Sequence, residues 1–300
     1  MKIFSGSSNK PLAEKTAHFL GKKLGPLEIF VFPDGEKRVR VEEKVVDEKS
    51  VVFQSTSTPA DQNYMELFFI IDALKRSGAA TITAVIPYLG YERQDHVFRD
   101  GEAVSLEVIV ETLQRVGVGK LIAFDLHSVK VPELFAIPVL HLSALDLFAE
   151  KIKELGLVKN SVLVSPDMGG IRRIKMLSES LDNLPFATIE KNRDLDSGNI
   201  NDSSMEGDVS GKTAIIVDDM ISTGRTIIAA EEILLKNGAK NIYTFATHAD
   251  FSDNAAEILK NSKSDKVFVT DTIFIPKAKM FKNLEIISVS KIVADGLKDF

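Results

Sequence analysis

The chain contains no cysteine and no long uninterrupted apolar run. Without cysteine, thiol nucleophiles, disulfides and zinc-thiolate sites are excluded. The longest apolar stretches, such as ELFFIIDAL at residues 66–74, are broken by a charge well before the roughly 18 residues that a membrane span needs. We therefore expect no membrane span. The N-terminus, MKIFSGSSNK, turns polar after four residues and lacks the apolar core of a secretory signal, which favours a cytoplasmic location.

The chain also lacks a net positive charge: it has 37 basic and 43 acidic side chains, which give a net charge of −6. This balance argues against broad, salt-driven binding to nucleic acid, although a local anion site is compatible with it. The length of 300 residues, 44% of them hydrophobic, is enough for two folded domains with their own cores.

Short β-branched or aromatic runs alternate with amphipathic segments of helical length, which predicts an α/β fold with largely parallel central sheets flanked by helices. Strands are predicted at 2–5, 27–32, 50–54, 81–86 and 120–124, then at 162–165, 187–190, 213–217, 241–247 and 266–269. Helices are predicted at 12–24, 60–77 and 105–116. The polar segments 87–104 and 192–211 fit neither sheet, and loops of this length are usually functional or disordered.

The two halves have similar length and order, so we expect two related domains at 1–142 and 143–288. The second domain would begin with the helix SALDLFAEKIKELG. The C-terminal tail, about 289–300, has the apolar spacing of a short helix, and we expect it to pack back on the first domain.

The segment IIVDDMISTGRT, residues 215–226, joins a buried-strand pattern to two aspartates and a polar turn that leads into a helix. Ligands of open α/β sheets bind beyond the carboxyl ends of the strands, where this turn must lie. Backbone N–H groups and the helix dipole there favour a phosphate. The phosphate-binding positions would be Ser222, Thr223, Gly224, Arg225 and Thr226.

Asp218 and Asp219 would repel that phosphate, and they need hydrogen-bond donors instead. The two hydroxyls of a ribose ring are such donors, so a sugar phosphate satisfies both parts of the segment. Solvated carboxylates before a helix capped by Thr226 explain the same residues equally well.

The segment resembles the phosphoribosyl-pyrophosphate (PRPP) binding loop that phosphoribosyltransferases share with ribose-phosphate pyrophosphokinases. Five further stretches resemble the pyrophosphokinase family in particular, and together they span nearly the whole chain. They are FPDGEKRVRV from Phe32, YERQDHVFR from Tyr91, FDLHS from Phe124, VSPDMGG from Val164 and EKNRD from Glu190. The resemblance implies two domains of phosphoribosyltransferase type. It also implies a reaction in which ribose 5-phosphate attacks the β-phosphorus of MgATP and yields PRPP and AMP.

The resemblance further implies an ATP site. Its residues would be Phe32, Asp34, Gly35, Glu36, Arg93, Gln94 and Asp95. Phe32 is a candidate for packing on the adenine, and an arginine fork suits triphosphate oxygens. In the family the turn at Asp34 serves the ATP site of a neighbouring subunit, which implies a homo-oligomer of at least two chains. Taken alone, the same residues read as an ordinary β-turn and a solvated loop.

His127 and Asp167 match positions that the family associates with Mg²⁺. Oxygen ligands suit this hard cation better than imidazole does, so Asp167 is the stronger candidate for a ligand. Asp125 and His127 are two residues apart at the end of an apolar strand, so we expect their side chains to project from the same face.

Lys191 and Arg193 match the catalytic pair of the family, with Arg193 also at the ribose 5-phosphate. Positioned positive charge on the transferred group is the main contribution a protein makes to phosphoryl transfer. A basic pair in a charged surface loop is the simpler alternative.

Three departures from the family pattern stand out. Arg225 replaces the second glycine of the PRPP loop, so we expect a conformation at Arg225 that does not require glycine. His96 stands where arginine is common, and GEAVS, residues 101–105, replaces the usual ending of the ATP loop.

Two other functions compete with the pyrophosphokinase as explanations of the sequence. One is a phosphoribosyltransferase, which leaves the stretches at 34, 93 and 191 unexplained; the other is a non-catalytic relative, which is disfavoured because Lys191, Arg193 and Asp167 are all present.

Overall fold

A computed structural model describes residues 1–193 and 200–300, and the side-chain surroundings of residues 1–190 and 204–300. The chain forms two compact units. The first contains Met1–Leu142, Thr272–Phe274 and Ser288–Phe300, and the second contains Ser143–Asp271 and Ile275–Ile287. In this described part of the chain, none of the helices combines the length and apolar character needed to span a bilayer.

The first unit is built on a five-stranded sheet in which every neighbouring pair is parallel, in the order β1-β4-β5-β6-β7. The strands of this sheet are β1 (Lys2–Ser5), β4 (Lys49–Phe53), β5 (Thr81–Ile86), β6 (Lys120–Phe124) and β7 (Val139–Leu142). An antiparallel hairpin of β2 (Leu27–Val31) and β3 (Lys37–Val41) forms a separate two-stranded sheet that packs against the hydrophobic core of the unit. The helices of the unit are α1 (Lys10–Phe19), α2 (Ala60–Arg76), α3 (Ser105–Val116) and the C-terminal α8 (Ser290–Asp299), which packs on α1 and β7.

The second unit has a seven-stranded sheet in the order β10-β9-β8-β11-β12-β13-β14, parallel except for the edge strand β10. Its strands are β8 (Ser161–Ser165), β9 (Phe186–Arg193), β10 (Ile200–Glu206), β11 (Thr213–Ile221), β12 (Asn241–Ala249), β13 (Lys266–Thr270) and β14 (Leu284–Ile287). Its helices are α4 (Leu145–Glu154), α5 (Ile171–Ser180), α6 (Arg225–Lys236) and α7 (Ala255–Leu259).

Strand β11 shows why this sheet is buried on both faces. Ala214 and Ile216 belong to one hydrophobic core, whereas Ile215 and Val217 belong to another on the opposite face. This alternation follows from the two-residue period of a strand, and helices cover both faces of a parallel sheet. The apolar run at residues 213–217, from which a strand was predicted, is therefore the part of β11 that is buried on both faces of the sheet.

The predicted α/β class with largely parallel sheets is confirmed. The polar segment 87–104, all of it described, contains neither helix nor strand, as expected. The expectation that 192–211 is a loop is wrong for residues 192–193, which belong to β9, and for residues 200–206, which form β10 antiparallel to β9. An edge strand is held through its backbone on one side only, so its side chains need not alternate between apolar and polar.

Candidate active site

The aspartate pair lies inside β11, because this strand continues to Ile221 instead of ending at residue 217. Asp218 and Asp219 are 7% and 9% exposed. The Asp218 Oδ1 atom accepts a hydrogen bond from the Asp219 N–H at 2.8 Å, and Asp219 Oδ1 accepts one from the Met220 N–H at 2.9 Å. The interpretation of these residues as simply solvated carboxylates is therefore wrong, since burial of two adjacent charges needs compensation.

Arg173, on the first turns of α5, supplies that compensation. Its Nη1 lies 3.7 Å from Asp218 Oδ1, and its Nη2 lies 3.3 Å from Asp219 Oδ2. Burial raises the pKa of Asp218 well above its ordinary value, the charges of Asp219 and Asp167 raise it further, and the Arg173 guanidinium lowers it. Arg173 is not among the site residues predicted from the sequence. The available signal was the pair of arginines, Arg172 and Arg173, that follows the SPDMGG stretch after one intervening residue.

The loop after β11 leads directly into helix α6. Gly224 has φ +76° and caps the N-terminus of α6, which begins at Arg225. The suggestion that Thr226 caps the helix is therefore wrong; Thr226 is already in the first turn. The expected non-glycine conformation of Arg225 is confirmed, since this residue is helical and exposed. The first N–H groups of the helix lack partners within it and suit an anion.

Gly224→Ala tests the geometry of this loop. Alanine is strained at φ +76°, and a Cβ at this position would lie 3.1 Å from Leu259 Cγ. We expect a loss of about 1–2 kcal/mol in the free energy of unfolding and weaker binding of a phosphorylated sugar. Chemical denaturation and calorimetric titration measure the two effects. Gly156→Ala is the control, because Gly156 also has positive φ, +68°, but lies in the α4–β8 connection; equal loss of sugar binding in both variants would contradict the assignment.

Asp167 begins the turn after β8. Its extended backbone precedes a short 3₁₀ turn, Met168–Gly170, and its Oδ1 accepts a hydrogen bond from the Gly170 N–H at 3.2 Å. The residue is exposed, and its charge acts on the buried Asp218. The structure thus brings Asp167, Asp218 and Arg173 into one neighbourhood of the second unit.

Among the described residues, no group of three or more histidine, aspartate or glutamate side chains is arranged to hold a metal ion. Mg²⁺ commonly keeps several waters and is bound through one or two carboxylates together with substrate phosphates. An exposed carboxylate with one oxygen anchored by a backbone N–H, as at Asp167, suits such a role.

In the first unit, residues 32–36 form the turn of the β2–β3 hairpin. The Phe32 N–H donates to the Glu36 carbonyl at 2.8 Å, and the Glu36 N–H donates to Asp34 Oδ1 at 3.1 Å. Gly35 has φ +91°, a conformation that requires glycine. The turn interpretation of this stretch is confirmed, and Phe32 is 36% exposed at its start.

Arg38 on β3 is a second residue that the sequence analysis missed. Its guanidinium carbon lies 5.1 Å from the centre of the Phe30 ring and 5.9 Å from that of Phe32. A cavity of about 490 Å³ opens beside the same turn, lined by Gly35 and Glu36 and by side chains of α2 that include Phe69. Exposed rings beside a cation are suited to stacking on a planar ligand.

Arg93, Gln94 and Asp95 lie in the irregular segment before α3. Arg93 is exposed, whereas the backbone of Gln94 is anchored: its N–H donates to the Tyr91 carbonyl and its carbonyl accepts from the Leu106 N–H. Asp95 Oδ1 lies 2.6 Å from His96 Nδ1. His96, which departs from the family pattern, therefore pairs with Asp95, a residue predicted for the ATP site.

The prediction that Asp125 and His127 share a strand face is wrong. Strand β6 ends at Phe124, and Asp125 has φ +33°. Asp125 is 8% exposed whereas His127 is exposed, and the His127 N–H donates to Glu92 Oε2 at 3.2 Å. The positive φ breaks the alternation on which the prediction depended.

The backbone of Lys191 and Arg193 belongs to β9, opposite β10. The structure does not describe the side chains of residues 191–203, which include both of these basic residues.

The second unit is an α/β unit in which a largely parallel sheet carries two buried aspartates and a glycine-capped helix start at the end of β11, where open α/β sheets bind their ligands. The family model for the N-terminal domain of ribose phosphate pyrophosphokinase matches residues 1–117, and that for the phosphoribosyl synthetase-associated domain matches residues 200–300. The chain belongs to the ribose-phosphate pyrophosphokinase family: it is 40% identical over 99% of its length to the ribose-phosphate pyrophosphokinase of Fusobacterium nucleatum, covering 94% of that protein.

Two further relatives agree with this assignment. Ribose-phosphate pyrophosphokinase 1 of Streptococcus pyogenes is 39% identical, with 99% of this chain and 93% of that protein covered. The crystal structure of phosphoribosylpyrophosphate synthetase from Mycobacterium smegmatis matches with a TM-score of 0.93 and 34% identity, over 99% of this chain and 97% of that one. The chain is therefore an enzyme with ribose-phosphate pyrophosphokinase activity, which produces PRPP.

Proposed function

We propose that the enzyme transfers the β,γ-diphosphoryl group of MgATP to the anomeric hydroxyl of ribose 5-phosphate. The anomeric oxygen forms a bond to the β-phosphorus, the bond from that phosphorus to the α,β-bridging oxygen breaks, and AMP leaves with the electron pair. The hydroxyl proton passes to solvent. The products are PRPP and AMP, and the proposed role is the supply of PRPP for nucleotide biosynthesis.

The observation that carries this proposal is the pairing of two buried aspartates with a glycine-capped helix start at the end of β11. In the proposal, Asp218 and Asp219 accept hydrogen bonds from the ribose hydroxyls. The loop N–H groups and the side chains of Ser222, Thr223, Arg225 and Thr226 hold the 5-phosphate. Lys191 and Arg193 place positive charge on the transferred group.

On the nucleotide side, we assign ATP contacts to the 32–36 turn and to Arg93, Gln94 and Asp95. The exposed rings beside Arg38 support packing on the adenine. Asp167 would hold Mg²⁺, which would supply charge neutralisation on phosphate oxygens. His127 is a separate candidate position, which would act through water or phosphate.

We further propose that the enzyme is a homo-oligomer of at least two chains with a shared ATP site. Phe30, Val31 and Phe32 are 43%, 55% and 36% exposed on the hairpin. Contiguous exposed apolar side chains commonly mark interaction sites, which supports contact of this hairpin with another copy.

Asp218→Asn tests the sugar assignment. The substitution keeps the shape of the side chain but removes a charge-assisted acceptor, each of which is worth about 1.5–3 kcal/mol. We expect the Kd for ribose 5-phosphate to rise by one to two orders of magnitude, with the Kd for ATP changed much less. Calorimetric titration of each substrate measures this difference. Asp182→Asn, at an exposed turn after α5, is the control. A larger loss of ATP binding than of sugar binding would contradict the assignment.

A further inference from the structure

The loop that precedes α6 is supported by a neighbouring segment that the proposed mechanism does not use. We name residues Phe251–Leu259, which follow β12 and include α7, the supporting segment. The Phe251 N–H donates to the Ile221 carbonyl at 3.2 Å, and the Ser252 N–H donates to the Ser222 carbonyl at 3.1 Å. The two segments therefore run side by side through consecutive backbone hydrogen bonds.

A third contact joins the side chains. The Ser252 Oγ and Ser222 Oγ atoms lie 2.8 Å apart, and either hydroxyl can be the donor. Ser252 is half-buried, and Ser222 is one of the positions assigned to the 5-phosphate.

The supporting segment is itself firmly held. Phe251 is 1% exposed, and its ring centre lies 6.0 Å from that of Phe281. Lys279 Nζ donates to the Phe251 carbonyl at 2.8 Å. Leu259, which is fully buried, lies against Gly224 and closes the other side of the loop. A group held this rigidly can fix the orientation of its neighbour.

The chemistry of phosphate decides the direction of the bond between the two hydroxyls. A phosphate dianion only accepts hydrogen bonds, so the Ser222 hydroxyl must donate to it. Its own proton is then committed, and the contact between the serines requires Ser252 to be the donor. The result is a chain in which Ser252 donates to Ser222 and Ser222 donates to the phosphate, and such chains strengthen each member.

We propose that Ser252 is a positioning residue for ribose 5-phosphate, which orients the Ser222 hydroxyl toward the 5-phosphate without touching the substrate. This inference depends on the proposed sugar-phosphate site. It predicts a role in binding the phosphorylated sugar and none in binding ATP or in the chemical step.

The test measures steady-state KM and kcat for both substrates, and the calorimetric Kd for ribose 5-phosphate, in the full-length enzyme. We expect Ser252→Ala to raise the KM and Kd for ribose 5-phosphate about five-fold, the effect of one hydrogen bond. The kcat and the KM for ATP should stay within about two-fold of the wild-type values. Ser252→Thr, which retains the hydroxyl, should restore sugar binding. Asn254→Ala is the matched control, since the structure describes no side-chain cap from this exposed residue of the same segment.

A double-mutant cycle with Ser222→Ala separates orientation from general stability. We expect Ser252→Ala to cause no further loss once Ser222 is alanine, because its only route to the phosphate is then gone. An equal loss in both backgrounds, or an equal rise in the KM for ATP, would show a structural role and overturn the proposal.

The wild-type titration distinguishes failure of the proposed function from failure of the role proposed for Ser252. Absence of ribose 5-phosphate binding in the wild type would overturn the proposed function together with this inference. Normal wild-type binding with an unchanged Ser252→Ala variant would overturn the role of Ser252 alone.

Discussion

Lys191→Ala should lower turnover by a factor on the order of 10² to 10³ while leaving the Kd for ribose 5-phosphate nearly unchanged. This factor is typical for the loss of one positioned charge or donor that stabilises a transition state in a water-excluded site. The transferred diphosphoryl group carries several anionic oxygens, and in the proposal Lys191 acts on those oxygens rather than on the sugar. Single-turnover AMP formation measures the chemical step, and calorimetry measures sugar binding.

Lys159→Ala provides the control for Lys191→Ala, because Lys159 is an exposed lysine of the same unit, near the end of the α4–β8 connection. Its turnover should match that of the wild type. If Lys191→Ala weakens sugar binding as strongly as it slows turnover, the role of Lys191 is structural and the catalytic assignment is contradicted.

Arg173→Met should have the second large effect, on both stability and sugar binding. Removing one partner from a buried ionic cluster leaves uncompensated charge and typically costs about 3–5 kcal/mol. Arg173 and both aspartates are largely but not completely buried, so we expect about 3 kcal/mol in the free energy of unfolding. The carboxylates also lose the guanidinium that orients them, and the Kd for ribose 5-phosphate should rise about ten-fold or more, equivalent to roughly 1.4 kcal/mol.

The loss of stability in Arg173→Met should depend on pH. The pKa of Asp218 is already raised in the folded protein by burial and by its acidic neighbours, and removal of Arg173 raises it further. A group whose folded pKa exceeds its unfolded pKa favours folding at low pH and loses that contribution as the pH rises through the folded pKa. The variant should therefore be least stable, relative to the wild type, at pH values above the folded pKa of Asp218.

Arg172→Met is a closely matched control, because it removes the same side chain from the adjacent, exposed position of α5. Denaturant unfolding at several pH values compares the two variants. Equal stability losses at positions 172 and 173, or a loss at Arg173 that does not change with pH, would contradict the assigned charge compensation.

The elements best predicted from the sequence are the buried parallel strands. Predicted strands 2–5, 81–86 and 120–124 coincide with β1, β5 and β6, because continuous β-branched and apolar runs bounded by polar residues have few alternative structures. The loop before α6 lies within the segment predicted for it but is shorter, because β11 continues to Ile221 and α6 begins at Arg225.

Arg173 was missed for a geometric reason. Successive residues on a helix point about 100° apart, so the choice between Arg172 and Arg173 depends on where α5 begins. Sequence periodicity fixes that start only within a residue or two. Arg38 was missed because its ring contacts depend on the register of the β2–β3 hairpin, which places it opposite Phe30. Ser252 was missed because its partner, Ser222, lies 30 residues away along the chain. The oligomeric state, Mg²⁺ and the cytoplasmic location stay predictions.

The most direct test of the proposed reaction is the identity of its products. The purified enzyme is incubated with ribose 5-phosphate, ATP and Mg²⁺, and AMP, ADP and PRPP are quantified over time beside a Lys191→Ala sample. The account predicts AMP and PRPP in equal amounts, with almost none of either from the variant in the same interval. ADP with a singly phosphorylated product would show an ordinary kinase, and PRPP binding without turnover would show a non-catalytic relative; either result would contradict the account.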